Sequence, residues 1–231
     1  MADNKNGETV VLLHGIGRTG MSMLMLQQAL KRDGYDVINI TYPSTKMPLA
    51  DIRKFVKDQL EVKPEFNNAS KVHFVTHSMG GIVTRYYLGH HKPDNMGRVV
   101  MLGPPNKGSE FADFLTDNKH LRPVFELIYG PAGSEMKTTH EHSEEAQKID
   151  YEVGVIAGSS SINPLALLVL GDIGNEHDGI VPITHTMLDE MADHIVIPAT
   201  HSFMMNNTTV IEEIKEFLRK GKFSAGAPRL G

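Results

Sequence analysis

Val72-His73-Phe74-Val75-Thr76-His77-Ser78-Met79-Gly80-Gly81-Ile82-Val83-Thr84-Arg85-Tyr86-Tyr87-Leu88 is the stretch whose reading decides the fold. Its first four residues are apolar and β-rich, and the segment from Gly81 to Leu88 is helix-like. A strand, a sharp turn and a helix with a serine at the bend present a nucleophile at the edge of a sheet. The bend has to be tight, so the residues around the serine must be small. Gly80 and Gly81 satisfy this on the helix side. Thr76 satisfies it only partly, because the pattern G-x-S-x-G has glycine there. A serine hydroxyl is a poor nucleophile by itself. It needs a base, a group to orient the base, and donors for the oxyanion.

Candidates for these parts lie elsewhere in the chain. Val10-Val11-Leu12-Leu13-His14-Gly15-Ile16-Gly17 is an apolar strand running into a glycine-rich loop, which can bring backbone N–H groups close to a developing negative charge. His177-Asp178-Gly179-Ile180-Val181-Pro182 offers a carboxylate in a turn, with Asp172 and Glu176 as nearby rivals. Ala199-Thr200-His201-Ser202-Phe203 follows the strand-like His194-Ile195-Val196-Ile197-Pro198, with His185 and His194 as competitors for the base. The order is nucleophile, acid, base.

That order, together with the serine turn and the His14-Gly15 loop, resembles the α/β-hydrolase superfamily and its small lipases and carboxylesterases. The resemblance spans roughly residues 9 to 219, and Leu102-Gly103-Pro104-Pro105-Asn106-Lys107-Gly108-Ser109 resembles the segment after the next sheet strand in such lipases. It implies that Ser78 is the nucleophile, Asp178 the acid and His201 the base. Asp178 is preferred because Asp-Gly-Ile-Val-Pro resembles the family's acid loop and Gly179 lets the backbone turn. His201 is preferred because it lies between the last strand and the last helix. The resemblance assigns the oxyanion donors to the backbone N–H groups of Met79 and Ile16, with Gly17 as the alternative to Ile16. His14 is expected to pack and hydrogen-bond within the loop. No cofactor is implied. The implied reaction is hydrolysis of short to medium acyl esters, the substrate being a small-molecule or lipid ester. A thioesterase or a phospholipid acyl hydrolase would use the same triad. A non-catalytic binding module on this fold is the reading from another class.

Strand signals fall at 9–14, 36–41, 71–76, 98–102, 151–157 and 194–198, each apolar on both faces in its centre, as in a parallel sheet covered on both sides. Helix signals fall at 20–33, 50–61, 79–90 and 207–220. Alternation of the two predicts a doubly wound α/β domain with a mostly parallel sheet of about six strands. Segments 118–150 and 158–182 break the alternation. A small cap or none is expected, with 118–150 and 158–170 as the candidate cap elements, and residues 221–231 read as a loose tail.

The chain has 231 residues, which fits one domain, and 40% hydrophobic residues, enough for one sizeable core. A net charge of -5 without a basic run disfavours nucleic acid as a partner. The absence of cysteine removes disulfides, thiol catalysis and cysteine-ligated metals. No apolar run approaches the ~18 residues that span a bilayer. The polar N-terminus carries no signal-peptide core, so a cytoplasmic location is the default expectation unless a leader has been removed. His140-Glu141-His142 and His90-His91 lack the helical i, i+4 spacing of zinc hydrolases and read as solvated surface, so no metal is expected. Met21, Met23, Met25, Met204 and Met205 flank the expected site. They read either as core filling or as a pliable acyl pocket, and Leu165, Leu167 and Leu168 carry the same two readings.

Overall fold

A computed structural model describes residues 7–108, 117, 130–133, 135, 149–161 and 177–229. Six strands form one sheet: β1 (Glu8–Leu13), β2 (Asp36–Ile40), β3 (Lys71–His77), β4 (Met96–Leu102), β5 (Val153–Gly158) and β6 (Asp193–Ile197). Their spatial order is β2-β1-β3-β4-β5-β6, and every neighbouring pair is parallel. The principal helices are α1 (Leu24–Arg32), α2 (Leu49–Glu61), α4 (Met79–His91) and α6 (Thr208–Lys220). Two short helices, α3 (Pro64–Asn67) and α5 (Ile183–Thr186), also lie among the described residues.

Both faces of the sheet are covered, as the two-sided apolar strands require. Val10 and Leu12 of β1 face one core with Leu26 and Leu30 of α1 and Val210 and Ile214 of α6. Val11 and Leu13 face the other, with Ile52 and Val56 of α2 and Ile82 and Val83 of α4. Alternate residues point to opposite faces, so one short strand serves both cores. Helix α6 is started by Asn207, whose side-chain oxygen accepts from the N–H groups of Thr209 and Val210 at 2.9 and 3.2 Å. It ends at Gly221, which takes the left-handed conformation at φ 73°.

The chain leaves β1 toward α1 on one face and leaves β3 toward α4 on the other. The crevice between the carboxyl ends of β1 and β3 is therefore the switch point of the sheet, where ligands bind in open α/β folds. Register keeps the relevant strand ends level: Leu13 pairs with Thr76, and His77 pairs with Leu102.

The structure departs from the sequence reading in detail. Gly20–Met23 forms a 3-10 turn, capped by the Thr19 side chain, before α1 begins. His201–Asn206 is also a 3-10 helix, so His201 opens a helical turn and does not lie in plain loop. The segment after α6 is held as far as Arg229. Phe223 is buried against Phe217, Arg229 pairs with Asp193, and the N–H of Val196 donates to Pro228 O at 2.8 Å. One aromatic side chain and one edge-strand donor thus convert an apparently loose tail into packed structure.

His14, His73, His77 and His194 are buried, and desolvation is the main cause lowering the pKa of each below 6.5. These rings are neutral in the fold but gain a proton on unfolding in mild acid. A group whose folded pKa is depressed gives stability that is present above its unfolded value and is lost as pH falls through the window below it. Each ring contributes a slope of at most about 1.4 kcal/mol per pH unit. The thermal midpoint should therefore fall steadily between pH 7.5 and pH 5. A midpoint that stays flat across that range, measured by calorimetry, would show that these rings are not held neutral.

Candidate active site

Ser78 sits between β3 and α4 with φ 53° and ψ −124°, the one positive-φ non-glycine among the described residues. That backbone is costly for a residue with a Cβ and persists only when its surroundings impose it. The surroundings here are specific. The Ser78 N–H donates to Leu102 O at 2.8 Å, and the N–H of Gly81 donates to Ser78 O at 2.9 Å. Gly80 passes so close to β1 that a Cβ there would lie 2.5 Å from the Leu13 carbonyl oxygen. Gly81 has more room, its nearest contact for a Cβ being Pro104 Cβ at 3.1 Å. Thr76 fits in place of glycine because its side chain faces Gly81, where a Cβ would come within 3.5 Å of Thr76 Oγ1. That hydroxyl is buried without a hydrogen-bond partner among the described residues, a cost of about 1–3 kcal/mol.

The loop after β1 is built around His14. Its ring stacks on Tyr42 with centroids 4.2 Å apart, and its Nε2 accepts from the Tyr42 N–H at 3.2 Å. Nδ1 lies 2.8 Å from Gly15 O and therefore carries the proton. The Tyr42 hydroxyl donates to His14 O. In a trans peptide the N–H opposes the C=O, so holding the Gly15 carbonyl turns the Ile16 N–H away from the His14 ring. The Gly17 N–H is already committed, donating to Ser44 Oγ at 3.0 Å. Gly15 itself abuts the Ser78 turn: a Cβ there would lie 3.1 Å from Ser78 Cβ. Across the crevice, the Met79 N–H is one of the orphan donors that begin α4.

Asp178 and His201 are brought together although 23 residues separate them. His201 Nδ1 lies 2.7 Å from Asp178 Oδ2. The other carboxylate oxygen accepts from the N–H groups of Ile180 and Val181 at 3.0 and 2.9 Å, so the turn fixes the carboxylate before the imidazole reaches it. Gly179, at φ 102°, makes that turn affordable. The His201 N–H donates to Asp178 O at 2.9 Å, tying backbone to backbone as well. All three residues are buried, with Ser78 at 6%, Asp178 at 2% and His201 at 5% exposure. The pair lies beside the serine turn: Gly103 follows Leu102, the partner of the Ser78 N–H, and a Cβ on Gly103 would come 2.9 Å from Asp178 Oδ2 and 3.1 Å from His201 Nδ1. No hydrogen bond joins Ser78 Oγ to His201 among the described residues.

The competing histidines are placed elsewhere. His194 is in β6 with Nε2 3.1 Å from Thr186 Oγ1, and His185 is in α5. Asp172 and Glu176 lie outside the described residues, as do Leu165, Leu167, Leu168, His140 and His142. Met23 is fully buried in the core, as are Met204 and Met205, so these three are core filling. Met21 is 72% exposed, Met25 46% and Phe203 58%. Among the described residues no group of three or more His, Cys, Asp or Glu could hold a metal ion. No helix among them is long and apolar enough to cross a membrane.

Comparison with known proteins agrees with this architecture. Residues 8–128 match the model of the alpha/beta hydrolase fold, and the chain belongs to that family. It resembles lipases and esterases within it. Over 84 residues, 34% of this chain, it is 43% identical to triacylglycerol lipases of Pseudarthrobacter phenanthrenivorans and Burkholderia plantarii. The chain spans only 26% and 23% of the lengths of those two proteins. The mature form of the Bacillus licheniformis lipase BlEst2 superposes with a TM-score of 0.77 over 94% of both chains at 20% identity. The phospholipase PlaB from Legionella pneumophila gives 0.70 over 90% of this chain and 56% of its own at 16% identity. At these identities the likeness is one of fold.

Gly103 belongs to the segment 102–109 noted in the sequence, but its contact with the Asp178–His201 pair is visible only in the fold, and it separates close packing from backbone strain. Gly103→Ala combines a positive φ of 52° with a collision against both members of the Asp178–His201 pair. Gly17→Ala meets only its own φ of 66°, with nothing within 4 Å. The second should cost about 1–2 kcal/mol and leave the low-field proton signal of the imidazole–carboxylate pair in place. The first should abolish that signal. An unchanged signal in Gly103→Ala would contradict the packing described.

Proposed function

We propose that this chain is a serine carboxylester hydrolase acting through Ser78, His201 and Asp178. The observation that carries the reading is the 2.7 Å Asp178–His201 pair lying beside a serine held in a strained turn. Ser78 Oγ attacks the ester carbonyl carbon while His201 Nε2 takes its proton. The carbonyl π-pair moves to oxygen, and the N–H groups of Met79 and Ile16 receive that oxyanion. Commitment of the Gly17 N–H to Ser44 favours Ile16 over Gly17 as the second donor. Collapse of the intermediate breaks the bond to the alcohol oxygen, which takes the proton back from His201. Water repeats the sequence on the acyl-serine and releases the acid. Asp178 keeps the imidazole in the tautomer with Nδ1 protonated and stabilises its charged form. The Ser78–His201 hydrogen bond forms with substrate in place, since such bonds are often long in empty sites.

Short to medium acyl esters are the substrates we assign. The sequence between Gly108 and Ile149 and between Ser161 and His177 is too short in either place for an independent cap domain. The names of the triacylglycerol lipases that match part of the chain are consistent with ester chemistry. An activity panel of p-nitrophenyl esters of rising acyl length, thioesters and phospholipids distinguishes the acyl hydrolases that could use this triad.

A fluorophosphonate should label the protein once, on Ser78. Ser78→Ala should lose labelling, and His201→Ala should lose nearly as much turnover, because the groups act as a unit. Asp178→Asn should reduce turnover by roughly 10⁴-fold with the fold retained. Mass-spectrometric mapping of the adduct checks the first expectation. An adduct on another residue would overturn the assignment of Ser78, and no adduct on folded protein would favour a binding module.

A further inference from the structure

His77 ends β3 and immediately precedes Ser78. The pleat puts it on the same face as Val75, the face on which Met204 and Met205 pack. Its ring is buried, with Nε2 2.8 Å from the His201 carbonyl oxygen, 124 residues further on. A carbonyl only accepts, so Nε2 carries the ring's proton and donates. Nδ1 is then a bare acceptor, and it is buried with no hydrogen-bond partner among the described residues. It faces Gly15 of the β1 loop, where a Cβ would lie 2.8 Å from it. The ring thus touches the oxyanion loop and the base turn, and is covalently next to the serine.

We propose that His77 is a positioning residue whose ring N–H holds the His201 carbonyl and so fixes the imidazole of His201 against the Ser78 turn. This rests on the reading of Ser78 and His201 as nucleophile and base. Among the described residues, three bonds outside its own helical turn then determine where His201 sits. Its N–H is held by Asp178 O at 2.9 Å, its ring Nδ1 by Asp178 Oδ2 at 2.7 Å, and its carbonyl by His77. The first two fix His201 to the acid turn. Only the third ties it to β3, the strand that carries the nucleophile.

A purely structural role explains this side chain poorly. An aromatic ring chosen for packing in a site this buried would be phenylalanine. Histidine makes one bond there and leaves a second polar atom unsatisfied, which is a weak way to stabilise a fold. The ring also suits its neighbour electrically. Burial, followed by the nearby His201, drives the His77 pKa well below 6.5, so His77 remains neutral. A charged ring with its centroid 4.8 Å from that of His201 would oppose the imidazolium that the reaction requires.

The test compares His77→Phe, His77→Gln and His77→Asn in the full chain. Phenylalanine keeps the ring and removes both nitrogens. The glutamine amide reaches the place of Nε2, whereas the asparagine amide reaches only that of Nδ1. Each variant is followed by kcat and KM on p-nitrophenyl butyrate, by the rate of fluorophosphonate labelling, and by the low-field proton signal of the His201–Asp178 pair. His77→Phe should lower kcat at least tenfold with KM within twofold, slow labelling by the same factor, and shift or broaden the proton signal. His77→Gln should recover most of the loss and His77→Asn should not. If His77→Phe fails to fold, the Gln-against-Asn contrast decides alone. Equal impairment of Gln and Asn, or a His77→Phe variant with kcat within twofold and an unchanged signal, would overturn the proposal. A parent protein that is neither labelled nor active, but whose proton signal depends on His77 as described, would leave the positioning role standing. It would remove the Ser78 chemistry instead.

Discussion

The approach of α4 to the end of β1 leaves no room for a side chain at residue 80. A Cβ on Gly80 would lie 2.5 Å from the Leu13 carbonyl oxygen and 2.9 Å from that of His14, both backbone atoms that cannot swing aside. This contact brings the start of the helix under the loop that leaves β1. Parallel register does the rest, because Leu13 and Thr76 are paired and the two strands end at the same level. The N–H at the start of α4 and the loop at Gly15-Ile16 consequently border one crevice. Ser78 bears the strain of the arrangement at φ 53°. A helix held further from β1 would relax the turn and separate the two sets of donors.

Neutral histidines dominate the surroundings of that crevice. Burial lowers the pKa of His14 and drives that of His77 well below 6.5, and each ring is used as a directional hydrogen-bonding group. His14 controls a carbonyl in the β1 loop, and His77 controls the carbonyl of His201. Because neither carries charge, the carboxylate of Asp178, 2.7 Å from His201 Nδ1, acts on the imidazole without a competing cation on those rings. The backbone N–H groups of Ile180 and Val181 hold the opposite oxygen of that carboxylate, so its direction does not depend on His201.

Much of this is legible in the sequence because it is local. Strands apolar on both faces announce a covered parallel sheet, and Ser78 followed by Gly80 and Gly81 announces a tight bend. The order of Ser78, Asp178 and His201 is likewise visible without coordinates. What escapes is long-range or conformational. Nothing near Gly103 in sequence shows that the Asp178–His201 pair will rest on it. The partner of His77 lies 124 residues away, although its place beside the serine was a signal that could have been weighed. Met23 resembles a pocket residue by its nearness to the β1 loop, yet helical phase turns it into the core, while Met21, two residues earlier, faces solvent. The tail after Gly221 reads as loose by composition, and the packing of Phe223 on Phe217 is a tertiary fact.

The central claim is that the β1 loop and the start of α4 form one anion site next to Ser78, with His201 facing it. A crystal structure of the protein inactivated by a short-chain fluorophosphonate tests this most directly. The account predicts phosphorus bonded to Ser78 Oγ, one phosphonyl oxygen within hydrogen-bond distance of both the Ile16 and Met79 N–H groups, and His201 Nε2 within reach of Ser78 Oγ. A phosphonyl oxygen pointing to solvent, or received by other donors, would contradict it.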